Sequence, residues 1–145
     1  MVRPKYETNE DLLNEREVSK LLLKHGHKCY KLPVSYRVDW IVFSNDRLMG
    51  FIELKTRRNS VGKYPSLILS LAKYSEGCQL ARMTGTDFWV AAKWNDYLGF
   101  CCCTSIPIEI QMGGRYDRND RDDFEPVVHL PTELFEDKPI SHASF

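Results

Sequence analysis

The chain has 145 residues, a length at which one domain can enclose a sizeable core. Its 43% hydrophobic and 28% charged residues are the fractions expected of an ordinary soluble protein. Twenty basic and twenty acidic side chains cancel, so a footprint for an anionic partner has to be local. No run approaches the roughly 20 apolar residues of a membrane span, and the opening Met1–Glu7 lacks the apolar segment of an export signal. Five cysteines, three of them consecutive at 101–103, do not make a disulfide framework; a reducing cytoplasm is expected, with no membrane partner.

Thr8 or Asn9 can cap a helix running to about His25 and stopped by Gly26. At about 100° per residue, Leu12, Val18, Leu22 and Leu23 share a broad apolar side. Glu15 falls inside that side, whereas Glu17 falls among Lys20 and Lys24 and reads as a solvated charge with a lysine partner. Glu15 should therefore point at the sheet. His27–Lys31 reads as a short edge strand. His25, His27 and Cys29 have no second half-site at zinc spacing, so a zinc centre is not expected.

Val38–Phe43 and Leu48–Lys55 read as two strands joined around Ser44–Arg47, both rich in β-branched and aromatic residues. Three charges interrupt them: Asp39, Glu53 and Lys55. Side chains alternate along a strand, so Glu53 and Lys55 share a face. A loop of three or five residues centred on Asp46 sets Asp39 opposite Glu53, on that same face. A two-residue Asn45-Asp46 loop sends it to the other. With the odd loop, Ile41, Phe43, Met49 and Phe51 line the charged face, and Val38, Trp40, Val42, Leu48, Ile52 and Leu54 the opposite one. Both faces are apolar, so the hairpin is interior, and charges buried there need pairing or a metal ion.

Thr56–Lys63 follows as a basic loop, with Arg57, Arg58 and Lys63 placed to meet phosphates. Ser66–Met83 reads as a second helix with an apolar stripe of Leu67, Leu71, Tyr74, Cys78 and Ala81. Gln79 lies beside the stripe, where it either reaches the charged face or caps the edge of the core, and Lys73 and Arg82 are expected in solvent. Asp87–Trp94 and Leu98–Thr104 form a second strand pair, across which the three cysteines alternate as packing residues. Gly113-Gly114 and Tyr116–Glu125 read as an exposed loop that lacks the ligand pattern of a calcium site. Pro126–Leu130 is expected as an edge strand and Pro131 as the start of a short helix. The order α-β-β-β-α-β-β argues for one mixed α/β sheet flanked by helices. Residues 1–145 then form a single domain, with a core of about 8–104 and a C-terminal extension of 105–145.

Glu15, Asp39, Glu53 and Lys55 all point inward. Converging carboxylates make a hard-oxygen site suited to Mg²⁺ or Mn²⁺, and a neighbouring lysine can orient water or stabilise developing negative charge. Asp39, thirteen intervening residues, then Glu53-Leu54-Lys55 resembles the D…(D/E)-x-K signature of the PD-(D/E)xK nuclease superfamily. Asn14–Gly26 is similar to the opening helix of archaeal-type Holliday junction resolvases. The resemblance implies the restriction-endonuclease-like fold and the odd hairpin loop. It implies Asp39 and Glu53 as metal ligands with the Leu54 carbonyl, Lys55 assisting the attacking water, and Glu15 as a further active-site residue. Valine stands before Asp39 where the signature has proline, and the acidic stretch after Gly113 has no counterpart in the resolvase group.

The function so implied is a Mg²⁺- or Mn²⁺-dependent endonuclease hydrolysing DNA, with branched DNA among its candidate substrates and a homodimer as one route to cutting two strands. The competing readings are an exonuclease or RNA nuclease of the same fold, and a nucleic-acid-binding or assembly protein without catalysis.

Overall fold

The computed structural model describes residues 9–104, 106, 108–114 and 124–138. Helix α1 (Asn9–Lys24) ends at Gly26, whose φ of 86° suits a residue without Cβ. Strands β1 (His27–Lys31), β2 (Trp40–Ser44) and β3 (Arg47–Thr56) follow, then β4 (Ser66–Ser70), α2 (Leu71–Thr84), β5 (Asp87–Lys93), β6 (Leu98–Cys102), β7 (Glu109–Gly114) and β8 (Phe124–Pro131). The larger sheet has the order β1-β2-β3-β5-β6. β3 and β5 run parallel, connected through β4 and α2, and the other neighbours are antiparallel.

The two faces of this sheet are covered separately. Val18 and Leu22 of α1 pack on Trp40, Val42, Ile52, Trp89, Ala91 and Phe100. Ala81 of α2, with Leu71, Tyr74 and Cys78, packs on the face carrying Phe51, Phe88, Val90 and Ala92. Leu12 and Leu23, expected to bury with α1's stripe, are 37% and 59% exposed, so the buried stripe is narrower than its apolar residues. Gly77 lets α2 settle close to β5: a Cβ there would stand 2.6 Å from the Phe88 ring. Cys101 and Cys103 are buried and Cys102 is exposed, as strand alternation requires.

The second helix is shorter than its sequence pattern. Ser66–Ser70 is a strand, with Leu67 and Leu69 buried and Ile68 45% exposed. It pairs with β8 in a smaller sheet of order β4-β8-β7. Leu67 sits at helical spacing from Leu71 only because a strand runs directly into a helix. Pro126–Leu130 is consequently the middle strand of that sheet, not an edge, and Val128 and Leu130 enter the main core. Gly113-Gly114 ends β7 instead of opening a loop, and a short 3₁₀ turn, Thr132–Leu134, follows Pro131. The Thr8 cap and most of the expected Tyr116–Glu125 loop lie outside the described residues.

The β2–β3 connection departs from the odd loop. It is a two-residue turn, Asn45-Asp46, with φ of 50° and 63° and with Ser44 paired to Arg47. The register then shifts: Phe43 faces Leu48 but Val42 faces Gly50, leaving Met49 as the extra residue of a β-bulge. One extra residue restores the parity that the short turn removes. Trp40 pairs with Ile52, and Asp39 comes one step beyond, beside Glu53. The bulge also sends Met49 to the α1 face, and Val38, which precedes the strand, packs on the α2 face; both differ from simple alternation. Gly50 has a φ of 152°, and a Cβ on it would collide with the Asp87 carbonyl and the Trp89 ring. Gly50→Ala should destabilise the protein by at least about 1–3 kcal/mol from backbone strain alone. Chemical denaturation measures this, and an unchanged midpoint would refute the role given to the bulge.

Candidate active site

β3 carries Phe51, Glu53 and Lys55 on the face covered by α2. Glu53 is only 1% exposed, among the most buried side chains of the fold. A carboxylate in that position costs several kcal/mol unless it is compensated. Two lysines converge on the same oxygen: Lys73 Nζ donates to Oε2 at 2.7 Å and Lys55 Nζ lies 3.4 Å from it. The other oxygen, Oε1, is buried with no hydrogen-bond partner among the described residues. Burial, and then the nearby charge of Asp39, raises the Glu53 pKa, with Lys55 and Lys73 pulling it down. Burial holds the Lys55 ammonium below its ordinary range; Glu53 opposes this, and the positive charges of Lys73 and Arg57 add to it.

Asp39 lies where β2 begins. Its Oδ2 accepts the Leu54 backbone N–H at 2.8 Å, across to the strand that holds Glu53 and Lys55. Its own carbonyl accepts the Leu32 N–H at 2.8 Å, so the backbone on both sides of the aspartate is tied. Asp39, Glu53, Leu54 and Lys55 are thus held together by the sheet itself.

Glu15 approaches the sheet from α1. It continues the Val18–Leu22 stripe by one turn and does face inward, 20% exposed, but its carboxylate bonds Lys31 Nζ at 3.3 Å. Lys31 pairs with Trp40, and that side of the sheet is the α1 face, opposite the one to which Glu53 points. Among the described residues no three carboxylate, imidazole or thiol side chains gather as a metal-holding cluster. Glu17 pairs with Lys93 at 3.3 Å, not with Lys20.

Lys73 is the residue that sequence reasoning assigned to solvent. It is 18% exposed and belongs to the inward row Lys73, Gly77, Ala81, at intervals of four, in which the other two are fully buried. That row was a usable signal once Gly77 is read as a contact residue. Gln79 is exposed. In the basic loop, Arg57 spends its guanidinium on the carbonyls of Thr56 (3.1 Å) and Ile68 (3.0 Å), tying β3 to β4. Arg58 is 82% exposed and bridges Glu10 at 3.1 Å, and Lys63 lies 5.5 Å from the centroid of the Tyr64 ring.

The chain over residues 1–138 matches the sequence profile of a family described as "Phage putative PDDEXK endonuclease". No curated protein sequence matches it. Among solved structures, Hjc from Archaeoglobus fulgidus, a Holliday junction resolvase from an archaeal hyperthermophile, superposes with a TM-score of 0.62. The match covers 88% of each chain at 17% sequence identity, and the likeness is one of fold. The larger mixed sheet with α1 and α2 on its two faces is accordingly the resolvase, restriction-endonuclease-like architecture. The chain belongs to the phage PDDEXK endonuclease family and is a nuclease of the PD-(D/E)xK type.

Proposed function

We propose that the protein is a Mg²⁺- or Mn²⁺-dependent DNA endonuclease selective for branched DNA, with Asp39, Glu53 and Lys55 as its catalytic residues. The observation that carries this reading is the buried Glu53 carboxylate, one oxygen held by two lysines and the other without a partner among the described residues, with Asp39 beside it. Two carboxylates and a backbone carbonyl suit Mg²⁺, which keeps several waters and takes only one or two protein carboxylates. Asp39, Glu53 Oε1 and the Leu54 carbonyl would hold it. When bound, the ion polarises a phosphoryl oxygen and lowers the pKa of a coordinated water. Lys73 fixes Oε2 and so presents Oε1 outward from the pair. Lys55, with a depressed pKa beside this carboxylate, orients the attacking water and stabilises charge that develops on the phosphate. Arg58 and Lys63 supply accessible cationic contacts to the DNA backbone, while Arg57 braces the loop. Likeness of fold to a junction resolvase supports branched DNA as the substrate, and two strands cut at a branch call for two sites, hence a homodimer.

The test is cleavage of linear, flapped and four-way DNA and of RNA by the purified protein with Mg²⁺ or Mn²⁺. Glu53→Ala, Asp39→Ala and Lys55→Ala should each lose at least about a hundredfold in rate. Preference for ends would make the enzyme an exonuclease, and preference for RNA would move the substrate. No cleavage, with no thermal shift on adding metal, would make the fold a non-catalytic binding module.

Lys73→Ala should lower cleavage by about 10–100-fold, as loss of a group that orients a metal ligand does. A wild-type rate would leave Lys73 a purely structural partner. Glu15, tethered to Lys31, stands outside the proposed ligand set; a loss in Glu15→Ala as deep as in Glu53→Ala would bring it in.

Metal binding must displace the proton from Glu53, whose pKa is raised above 4.5. Protonation therefore competes at a higher pH than for an ordinary glutamate. The thermal shift produced by Mn²⁺ should fade on acidification while the pH is still above that value, and a shift that persists down to it would contradict the assignment.

A further inference from the structure

One cleft of the molecule has a lining that does not include Glu53. It has a volume of about 920 Å³ and lies between the 57–65 loop and the small β4-β8-β7 sheet. Arg57 forms its near edge, two residues beyond Lys55 on the same chain segment, so the cleft opens beside the candidate active site. Its loop wall is firm. Val61 N–H donates to Asp96 Oδ1 at 2.9 Å, Asn95 N–H donates to the Asn59 carbonyl at 3.1 Å, and Asn95 Nδ2 donates to the Arg58 carbonyl at 2.8 Å.

The lining divides by chemistry. Tyr64, 55% exposed, and Ile68, 45% exposed, offer an aromatic and an aliphatic surface. Ser66 Oγ and His129 Nδ1 are 2.8 Å apart on the floor, leaving imidazole Nε2 without a hydrogen bond among the described residues. Glu109, paired with His129 in the sheet, and Glu133, next to Thr132 whose N–H bonds the Pro65 carbonyl, put negative charge in the lining, whereas the exposed cations Arg58 and Lys63 belong to the loop outside it. A phosphate is repelled by the glutamates and attracted to the loop. A neutral, flat group with hydrogen-bonding edges meets no such opposition inside. At about 920 Å³ the cleft falls in the range of small-molecule sites and has room for a nucleotide.

We infer that this cleft is a nucleobase subsite: it receives one unstacked base of the DNA strand next to the cleavage point, stacked on Tyr64 and read by the Ser66–His129 pair. Phosphates on either side of that base run along Arg58 and Lys63. A base is easiest to release from its stack at a branch or in a single strand, so the subsite gives structure selectivity a physical basis. The inference rests on the nuclease reading above and adds to it how the strand is held.

The experiment is a double-mutant cycle between protein and DNA. Dissociation constants are measured in EDTA, by fluorescence anisotropy, for the full-length protein on a labelled four-way junction and on a series in which one base at a time is replaced by an abasic site. Tyr64→Ala should weaken binding to intact DNA by about five- to a hundredfold, the usual contribution of one stacked base. At one abasic position that difference should vanish, because the cleft is empty in both proteins. Tyr64→Phe should bind like the wild type, which shows that the ring is what counts, and equal binding of Tyr64→Ala and wild type at that abasic position shows that the alanine variant is folded. Equal losses at every abasic position, or no loss in Tyr64→Ala, overturns the subsite. Wild-type cleavage with Mg²⁺ or Mn²⁺ in that case leaves the nuclease reading intact; absence of both DNA binding and cleavage overturns the two together.

Discussion

One extra residue in β3 decides which side chains meet. A two-residue turn pairs strands so that Asp39 and Glu53 fall on opposite faces, and nothing in the chemistry of either residue could correct that. The bulge at Met49 and Gly50 corrects it mechanically, by adding one to the count on one strand. It does so where β3 first meets β5, with Gly50 paired to Asp87, and the close approach of that carbonyl leaves no space for a side chain. The parallel joint at the centre of the larger sheet and the juxtaposition of two carboxylates thus rest on the same glycine.

The two-sided sheet then sorts the charges. Glu53 faces α2 and gains Lys73, and Glu15 under α1 gains Lys31. Burying Glu53 opposes folding, and the sheet tolerates it because the two lysines arrive on one oxygen while Gly77 lets α2 come near enough for Lys73 to reach. Stability alone would favour an apolar residue there. A buried carboxylate with an oxygen unpartnered among the described residues is costly and is better explained by what it binds than by what it stabilises.

Much of this was legible in the residues. The glycine stop marked the end of α1, runs of β-branched and aromatic residues marked β2 and β3, and misplaced charges marked Asp39, Glu53 and Lys55. What was hidden has a common cause: it depends on partners distant in sequence. Ser66–Ser70 is a strand because β8 lies beside it, 57 or more residues later, while Leu67 and Leu71 happen to share helical spacing. The bulge cannot be read from the turn, since Asn45-Asp46 is an ordinary two-residue hairpin connection. A helix starting at Ser66 centres its stripe on Leu67, Leu71 and Tyr74 and leaves Lys73 outside it, whereas the helix that starts at Leu71 buries Gly77 and Ala81 and turns Lys73, in the same row, inward.

Ser70 has two duties. It is the last residue of β4 and the cap of α2, its Oγ accepting the Lys73 backbone N–H at 3.5 Å. No linker separates the small sheet from the helix that carries the lysine. Arg57 adds a second strut, from the end of β3 to the Ile68 carbonyl in the middle of β4. The fold therefore has no slack between the cleft floor and the Glu53–Lys73 contact: a displacement of β4 is inherited by the ammonium three residues on.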